Sequence, residues 1–535
     1  MTKCGKAIAL STFFLALLTA NAAAQGQLHF CLRSEPKTFD PLKVEDDASV
    51  AIRYLTGGVL VRMNRLTQTL EPGLAVSWKV SQDSKQITFK LRSGISFSDG
   101  TPFSAEDVAY TVQQLMDPAL HSATGDTFRS GPGKVDIKII SPTQISITFP
   151  APVAGLDRQF DQVAILSGRS PKKEMAVLGP FMVTDYKPGA TVLLKRNPNY
   201  WKTDEQGRKL PYLDSIQLDI QPNRDVEVLR FKRNEIDLIN SLDSEYFDKL
   251  ASTSQELVHD AGASLDSEQM WFNQVARAPL PAFKKTWFRS AIFRRAISEA
   301  INRDDMAKIV FRGHAQASVG PVSPANKFWF NSNLKPQACS PDAALKALQG
   351  EGFHLENGAL KDKDGNAVIF SIITNSGNKY RERMATMIQE DLEKIGIHVN
   401  VVTLDFPSLI ERVTQTFDYE AVLLGLTNVG LDPNEQMNVW LSSSENHQWN
   451  PSEKAPETPW EAEIDKLMRA QASASDANKR KASFDRVQEI AVEQAPFIYL
   501  INRNALSAVS ANVKGANPVI LVPQTYWNVD RLSAK

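Results

Sequence analysis

The clearest pattern of apolar and polar positions lies in the first fifth of the chain. Ile87, Phe89 and Leu91 alternate with polar neighbours, which is typical of a strand with one buried face. A Ser-Asp-Gly turn follows this strand. Ser104 and Asp107 then have the spacing of a capping box, which opens a helix. The segment therefore predicts a strand, a turn and a capped helix in that order.

The same two periodicities recur further along the chain. Apolar residues alternate with polar ones at 216–220 and 397–401, which predicts strands. Apolar residues at helical spacing within 293–301 and 381–395 predict amphipathic helices. Strands thus alternate with helices, and this order favours an α/β protein.

The N-terminus predicts a secretory signal peptide over residues 1–24. Lys3 and Lys6 precede an apolar run, which is shorter than the ~20 residues that span a bilayer. Alanines at 22–24 give the small-residue pattern that signal peptidase accepts. We expect cleavage before Gln25 and no lipid anchor, because no cysteine directly follows these small residues.

Composition narrows the function classes. The 535 residues include 60 Lys and Arg against 61 Asp and Glu, and without a basic stripe we expect no nucleic-acid partner. The length after cleavage exceeds what one core normally holds, so two or more domains are expected. Cys31 and Cys339 are the cysteines left after cleavage. A disulfide between them and two free thiols both stay open.

Three sets of residues resemble a known family signature. The first set is Ala75, Trp78, Asp83, Phe89, Leu91, Arg92, Gly94, Phe97, Asp99, Gly100, Pro102, Phe103, Ala105, Glu106, Asp107 and Val108. The second is the SEPKTFDP segment near the mature N-terminus, and the third is Gly179, Pro180, Phe181, Arg196, Asn197, Pro198, Tyr200 and Trp201. Together they resemble the family 5 extracellular solute-binding proteins, which are peptide, nickel and opine receptors of ABC importers.

This resemblance implies the α/β fold of the periplasmic binding proteins. Two lobes with a hinge and a ligand cleft are expected, plus an extra domain that interrupts the first lobe (class II, three-domain cluster C type). The implied division is signal peptide 1–24, lobe I 25–60, extra domain 61–176, lobe I 177–263, lobe II 264–506 and lobe I 507–535.

The resemblance also implies a function. We expect a monomeric periplasmic receptor that closes around a small solute and delivers it to the transmembrane subunits of an ABC permease, without a cofactor or enzymatic activity. The short motifs of common hydrolases, dinucleotide enzymes and P-loop proteins are missing from the sequence. A secreted hydrolase and a sensor or chaperone-like binding protein remain alternatives, since short motifs do not define every hydrolase and nothing here separates uptake from sensing.

One loop bears on the choice of solute. Peptide-binding members usually carry Trp after the first Gly of the loop 425–433 and Asp three residues later, where it pairs with the amino terminus of the ligand. Leu426 and Val429 stand at these positions, so that salt bridge would be missing. A peptide or peptide-like solute is still expected as the commonest cargo. An oligosaccharide or opine is the alternative that Val429 favours, while Asp432 either replaces the missing group or sets the Asp-Pro turn.

The expected ligand-binding residues are Glu35, Trp271, Asn273, Leu426, Thr427, Asn428, Val429 and Trp449. By the resemblance, Trp271 and Asn273 lie where the second lobe meets the cleft, although a core position for Trp271 is equally open. Trp449 either stacks on a ligand ring or fixes its own loop, and Glu35 either lines the cleft or caps nearby backbone. The seven histidines are scattered without metal-ligand spacing, so no metal site is expected.

Overall fold

The structure is a computed structural model that describes residues 26–534 except 121, 127, 129–132, 154, 172–175, 428 and 475. The predicted signal peptide and the candidate residue Asn428 lie outside the described residues. Among the helices that are described, none is both long and apolar enough to cross a membrane.

The described strands alternate with helices, as the sequence predicts. The strands are β1 (Gln27–Leu32), β2 (Val61–Met63), β3 (Leu70–Pro72), β4 (Ala75–Val80), β5 (Gln86–Leu91), β6 (Asp136–Ser141), β7 (Gln144–Thr148), β8 (Phe181–Lys187), β9 (Thr191–Arg196), β10 (Ser215–Ile220), β11 (Leu238–Ile239), β12 (Val258–Phe272), β13 (Ala315–Ala317), β14 (His354–Glu356), β15 (Ala359–Lys361), β16 (Ile369–Asn375), β17 (His398–Leu404), β18 (Ala421–Leu426), β19 (Ile498–Val509), β20 (Val513–Lys514) and β21 (Ser533–Ala534).

The helices lie between these strands. They are α1 (Asp47–Thr56), α2 (Ala105–Leu115), α3 (Ala123–Asp126), α4 (Leu156–Gln159), α5 (Arg224–Lys232), α6 (Ser244–Ser254), α7 (Ala282–Arg289), α8 (Ala291–Ala300), α9 (Arg303–Ile309), α10 (Pro341–Gly350), α11 (Lys379–Glu393), α12 (Phe406–Glu411), α13 (Met437–Trp440), α14 (Pro459–Ser473) and α15 (Ala477–Gln494).

The strand, turn and capped helix of the first segment are confirmed. The side chains of Ile87, Phe89 and Leu91 are buried on one face of β5. Ser104 and Asp107 form the capping box that opens α2. The Ser104 side chain accepts a hydrogen bond from the backbone N–H of Asp107, and the Asp107 side chain accepts one from the backbone N–H of Ser104. Local pattern alone therefore suffices for this part of the chain.

One long sheet runs through most of the molecule. Its strand order is β17-β16-β18-β12-β19-β11-β1-β10-β9-β8. We call β8, β9, β10, β1 and β11 the first half-sheet, and β17, β16 and β18 the second half-sheet. The separate sheet β4-β5-β7-β6, called the insert sheet, has its own apolar cluster. Different apolar clusters also cover the first half-sheet and the second half-sheet.

The two long strands β12 and β19 connect the half-sheets. They pair regularly near Val258 and again at Gln269 and Met270, but their register shifts between Asp260 and Ser267 and once more between Glu268 and Gln269. Gly262 lies within this irregular stretch at a φ of 87°, which a residue with a Cβ adopts at a cost. Irregular pairing at a glycine makes this stretch the natural place for a bend.

Both cysteines of the described chain are free thiols, which decides between the two open possibilities. Cys31 is buried, whereas Cys339 is exposed. Burial raises the pKa of the Cys31 thiol to about 12, so this thiol stays protonated and unreactive at neutral pH.

Candidate functional site

The directions of the strands create a cleft. In the first half-sheet β1 is parallel to β10 and β11, and in the second β16 is parallel to β17 and β18. β12 begins beside the end of β11, where Ile239 and Val258 both pair with Ala508. It then passes the end of β18, where Ser267 pairs with Leu426. The carboxyl edges of the two half-sheets therefore face each other, and crevices at such edges are where α/β proteins hold ligands.

The edge of the first half-sheet is fixed by a buried arginine. Arg224 donates to the carbonyl oxygens of Asn240 at 3.3 Å and Ser241 at 3.0 Å, and to Glu227 Oε2 at 2.5 Å. Arg33 follows β1 at the same edge and is exposed. The carbonyl oxygens held by Arg224 and the exposed side chain of Arg33 thus lie at this edge of the cleft.

A buried ion network lies at the opposite edge. Glu268, on β12, is 1% exposed. It accepts from Arg381 Nε at 2.8 Å and lies 3.6 Å from Arg503 Nε of β19. Gly425 packs directly on this pair, because a Cβ there would lie 2.6 Å from the Arg381 guanidinium and 2.8 Å from the Glu268 carboxylate. The first glycine of the loop therefore allows β18 to approach the network.

Asp432 is fully engaged within the loop. Its carboxylate accepts from Arg480 Nη2 at 2.6 Å and Nη1 at 3.0 Å, and both side chains are more than 90% buried. It also caps the short 3₁₀-helix Pro433–Gln436 by accepting from Asn434 N at 3.1 Å. Of the two roles considered for Asp432, the structure therefore shows the one in the turn.

Glu435 is an exposed carboxylate in the 3₁₀-helix that follows Asp432. Its side chain reaches solvent, but protein crowds it on most sides. This burial raises its pKa to about 7, and the charge of Asp432 adds to the rise. The hydrogen bond that Glu435 Oε1 accepts from Asp432 N at 3.3 Å opposes the rise, as do Arg158 and Arg65. Both arginines belong to the part of the chain that carries the insert sheet. Glu435 follows Asp432 at capping-box spacing, which is the sequence signal that could have found it.

The hairpin β2–β3 also touches the second lobe across the cleft. Gln68 Nε2 donates to the carbonyl oxygen of Ala325 at 2.8 Å, and Lys327 N donates to Gln68 Oε1 at 3.1 Å. Gly155 approaches Asp432 so closely that a Cβ would lie 3.1 Å from its carboxylate. The two sides of the cleft therefore meet through specific polar contacts.

Three of the expected ligand-binding residues lie in the core. Trp271 is 1% exposed and Trp449 is fully buried, and the ring of each packs edge-on against Phe497. Asn273 is equally buried, and its amide donates to the carbonyl oxygens of Phe417 at 2.9 Å and Tyr419 at 2.8 Å. The two tryptophans thus belong to one apolar cluster of the second lobe, and Asn273 holds backbone carbonyl oxygens beside it.

The other expected residues lie nearer to solvent. Leu426 and Val429 are half-buried on the loop and Thr427 is exposed. Glu35 lies far from this loop in the sequence. Its carboxylate accepts hydrogen bonds from Tyr186 Oη at 2.5 Å and Gly189 N at 2.9 Å. These two hydrogen bonds lower the pKa of Glu35, which matches the capping role.

Cavities in the described part of the chain lie beside the cleft. One of about 10 Å³ lies under the loop beside Val429 and Leu265, and it has room for about one water molecule. The other, of about 400 Å³, is lined by residues such as Tyr54, Arg62 and Asp530. Its lining comes from the end of α1, the hairpin β2–β3 with its flanking residues, and the segments 178–180, 200–202 and 527–531. It is therefore separate from the space between the two carboxyl edges.

Comparison with known proteins gives consistent matches. The family model described as bacterial extracellular solute-binding proteins, family 5 Middle, matches residues 69–448. The chain is 28% identical over 527 residues to a probable ABC transporter-binding protein of Deinococcus radiodurans, covering 90% of this chain and 87% of that protein. It is 25% identical to the dipeptide-binding protein of Escherichia coli, with 94% of each chain covered.

A solved structure shares the fold. The oligopeptide-binding protein AppA of Bacillus subtilis, in complex with a nonapeptide, is matched with a TM-score of 0.67 and 24% identity over 96% of this chain and 99% of that chain.

Proposed function

Because the chain belongs to the bacterial extracellular solute-binding proteins of family 5, we propose that it is the receptor of an ABC importer for a peptide-like solute. The observation that carries this proposal is the cleft between two facing carboxyl edges that β12 and β19 connect. Bending of these strands would bring the edges together around the solute. The transmembrane subunits of the permease would then recognise the closed form.

The periplasmic location of the protein and its division into two lobes and an extra domain, both expected from the sequence, are part of this proposal. The separate apolar clusters of the two half-sheets and the insert sheet support two lobes and an extra domain. We infer secretion to the periplasm through the N-terminal signal peptide, and action as a monomer.

Glu435 is our candidate for the group that binds the amine of a peptide. Val429 carries no charge, and the carboxylate of Asp432 is taken up by Arg480. Glu435 stands three residues after Asp432, directly after the loop, and its side chain is exposed. A carboxylate there can form the charge-assisted hydrogen bond that an ammonium group requires.

A non-peptide solute such as an oligosaccharide or opine is the second candidate. It is favoured by the apolar pair Leu426 and Val429, which stand where peptide receptors carry Trp and Asp. On this alternative, Glu435 would contribute no ammonium contact.

The function is tested by thermal unfolding of the mature protein with dipeptides, oligopeptides, oligosaccharides and opines. A ligand at 100 times its Kd adds roughly 2.7 kcal/mol to the free energy of unfolding. The class of solute that the protein binds should therefore raise its melting temperature. N-acetylated peptides of identical sequence are the matched control for the amine. Stabilisation by free peptides supports the first candidate, and stabilisation only by solutes without an amine supports the second. No stabilisation by any class would contradict both.

Glu435→Gln is expected to weaken binding of a free-amine peptide about 10- to 100-fold, since a hydrogen bond to a charged group contributes about 1.5–3 kcal/mol. Isothermal titration calorimetry measures this change, with Glu445→Gln as an exposed control on the same lobe. Because the carboxylate binds as the anion and its pKa is about 7, affinity of the unmodified protein should fall as the pH drops below 7. Equal affinity of Glu435→Gln and the unmodified protein would remove Glu435 from the site.

A further inference from the structure

Three ligating side chains meet inside the second lobe, away from the cleft. His447 is 1% exposed, Glu461 2% and Glu453 7%. His447 Nε2 lies 3.6 Å from Glu453 Oε1 and 3.6 Å from Glu461 Oε1. The three ligand atoms all lie within 4.8 Å of one another. The residues are separated in sequence as H-x5-E-x7-E, which is not the spacing of a familiar metal motif, so the sequence did not reveal them.

The hydrogen bonds of the group leave two ligand atoms free. His447 Nδ1 lies 2.9 Å from the carbonyl oxygen of Val439, and since a carbonyl can only accept, Nδ1 carries the proton. In the neutral imidazole, Nε2 then offers a lone pair. Among the described residues, His447 Nε2 and Glu453 Oε1 are buried atoms without a hydrogen-bond partner.

The remaining oxygen atoms are held from behind. Trp449 Nε1 donates to Glu461 Oε1 at 3.0 Å, and Thr458 Oγ1 donates to Glu461 Oε2 at 2.6 Å. The backbone N–H of Glu457 donates to Glu453 Oε2 at 2.7 Å. Outer hydrogen bonds of this kind orient the ligands of protein metal sites.

The charge of the group calls for a cation. Two buried carboxylates so close together cannot both ionise without compensation. The nearby buried Arg294 interacts with Glu461 through its charge, but it gives its hydrogen bonds to the carbonyl oxygens of Phe288, Gln494 and Ala495 and not to either carboxylate.

We propose that His447 Nε2, Glu453 Oε1 and Glu461 Oε1 bind a divalent transition-metal ion such as Zn²⁺. The 3.6 Å separations are too long for hydrogen bonds. They are close to the edge of a tetrahedron whose metal–ligand bonds are about 2.0–2.2 Å. One imidazole and two carboxylates form a ligand set that suits zinc, and a water molecule takes the fourth position in sites with three protein ligands. The ion would hold the loop of His447 and Glu453 against α14.

The metal content of the mature protein, produced without a polyhistidine tag and in zinc-supplemented medium, tests this proposal. Mass spectrometry of the metals is expected to find about one transition-metal ion per chain. Because the site is buried, the protein is then unfolded with a chelator and refolded with Zn²⁺, with Co²⁺ or with neither. Refolding with Zn²⁺ should raise the melting temperature, and refolding with Co²⁺ should give the visible absorption bands of a tetrahedral site.

Glu453→Gln and His447→Gln should abolish the bound metal, the zinc-dependent rise in melting temperature and the cobalt bands. Glu463→Gln is the control: Glu463 is exposed on α14, the helix that carries Glu461. This variant should retain the bound metal, the zinc-dependent rise and the cobalt bands. Circular dichroism shows whether each variant is folded. If His447→Gln does not fold, the metal content of Glu453→Gln alone tests the proposal. Metal-free protein that gains no stability on refolding with Zn²⁺ would overturn the proposal.

Discussion

Arg480→Met is expected to lower the free energy of unfolding by about 3–5 kcal/mol, because it leaves the buried carboxylate of Asp432 without its partner. Arg480 is 7% exposed and Asp432 3%. Besides its paired hydrogen bonds to Asp432, Arg480 donates to the carbonyl oxygen of Gln471 at 3.1 Å and stands over the ring of Trp329. The arginine therefore ties the cleft loop to α14 and α15.

Urea unfolding followed by tryptophan fluorescence measures this loss. Arg486→Met is the matched control, since Arg486 lies on the same helix in half-exposed ion pairs, and such pairs contribute less than about 1 kcal/mol. The double variant Arg480→Met/Asp432→Asn should recover part of the stability, because it removes the unpaired charge. A loss for Arg480→Met no larger than for Arg486→Met would show that the pair does not hold the loop.

Local elements could be predicted from the sequence because their causes are local. The alternation of Ile87, Phe89 and Leu91 fixes which face of β5 is buried, and Ser104 with Asp107 fixes where α2 begins. The two-lobe fold followed from the family resemblance and not from periodicity, since no local pattern states that β12 and β19 cross between two half-sheets.

The charged groups of the cleft could not be predicted in the same way. Arg65 and Arg158 act on Glu435 across hundreds of residues of sequence. The pair of Glu268 with Arg381 likewise joins residues 113 positions apart. Such contacts depend on how the lobes and the insert sheet pack. In contrast, the role of Asp432 in its turn depends on neighbouring residues and was among the expected alternatives.

The tryptophans show why burial is hard to assign from residue type. An aromatic residue beside a cleft and one in a core have the same local sequence features, because both lie on or next to regular elements. Trp271 belongs to β12, which is buried on both faces from Ser267 to Phe272. Within such a stretch, alternation no longer tells which side chains face a ligand.

Trp271→Ala is therefore expected to destabilise the protein by about 3–5 kcal/mol, the usual cost of emptying a core site of this size. The indole is 1% exposed, and it packs edge-on against Phe497 at a centroid distance of 5.5 Å. Its backbone pairs with Val422 of β18, next to the core of the second lobe. The loss appears in the urea unfolding curve, with Trp527→Ala as a control at a half-exposed position.

Ligand affinity separates the core role of Trp271 from a binding role. Trp271→Phe keeps an aromatic ring in the cluster, so it should retain most of the stability and bind the solute as the unmodified protein does. A residue that stacks on the solute would behave in the opposite way: its loss would weaken binding while leaving the unfolding curve nearly unchanged. A large drop in affinity for Trp271→Phe at unchanged stability would thus return Trp271 to the ligand site. Unchanged affinity would leave the loop from Leu426 to Glu435 as the part of the second lobe that meets the solute.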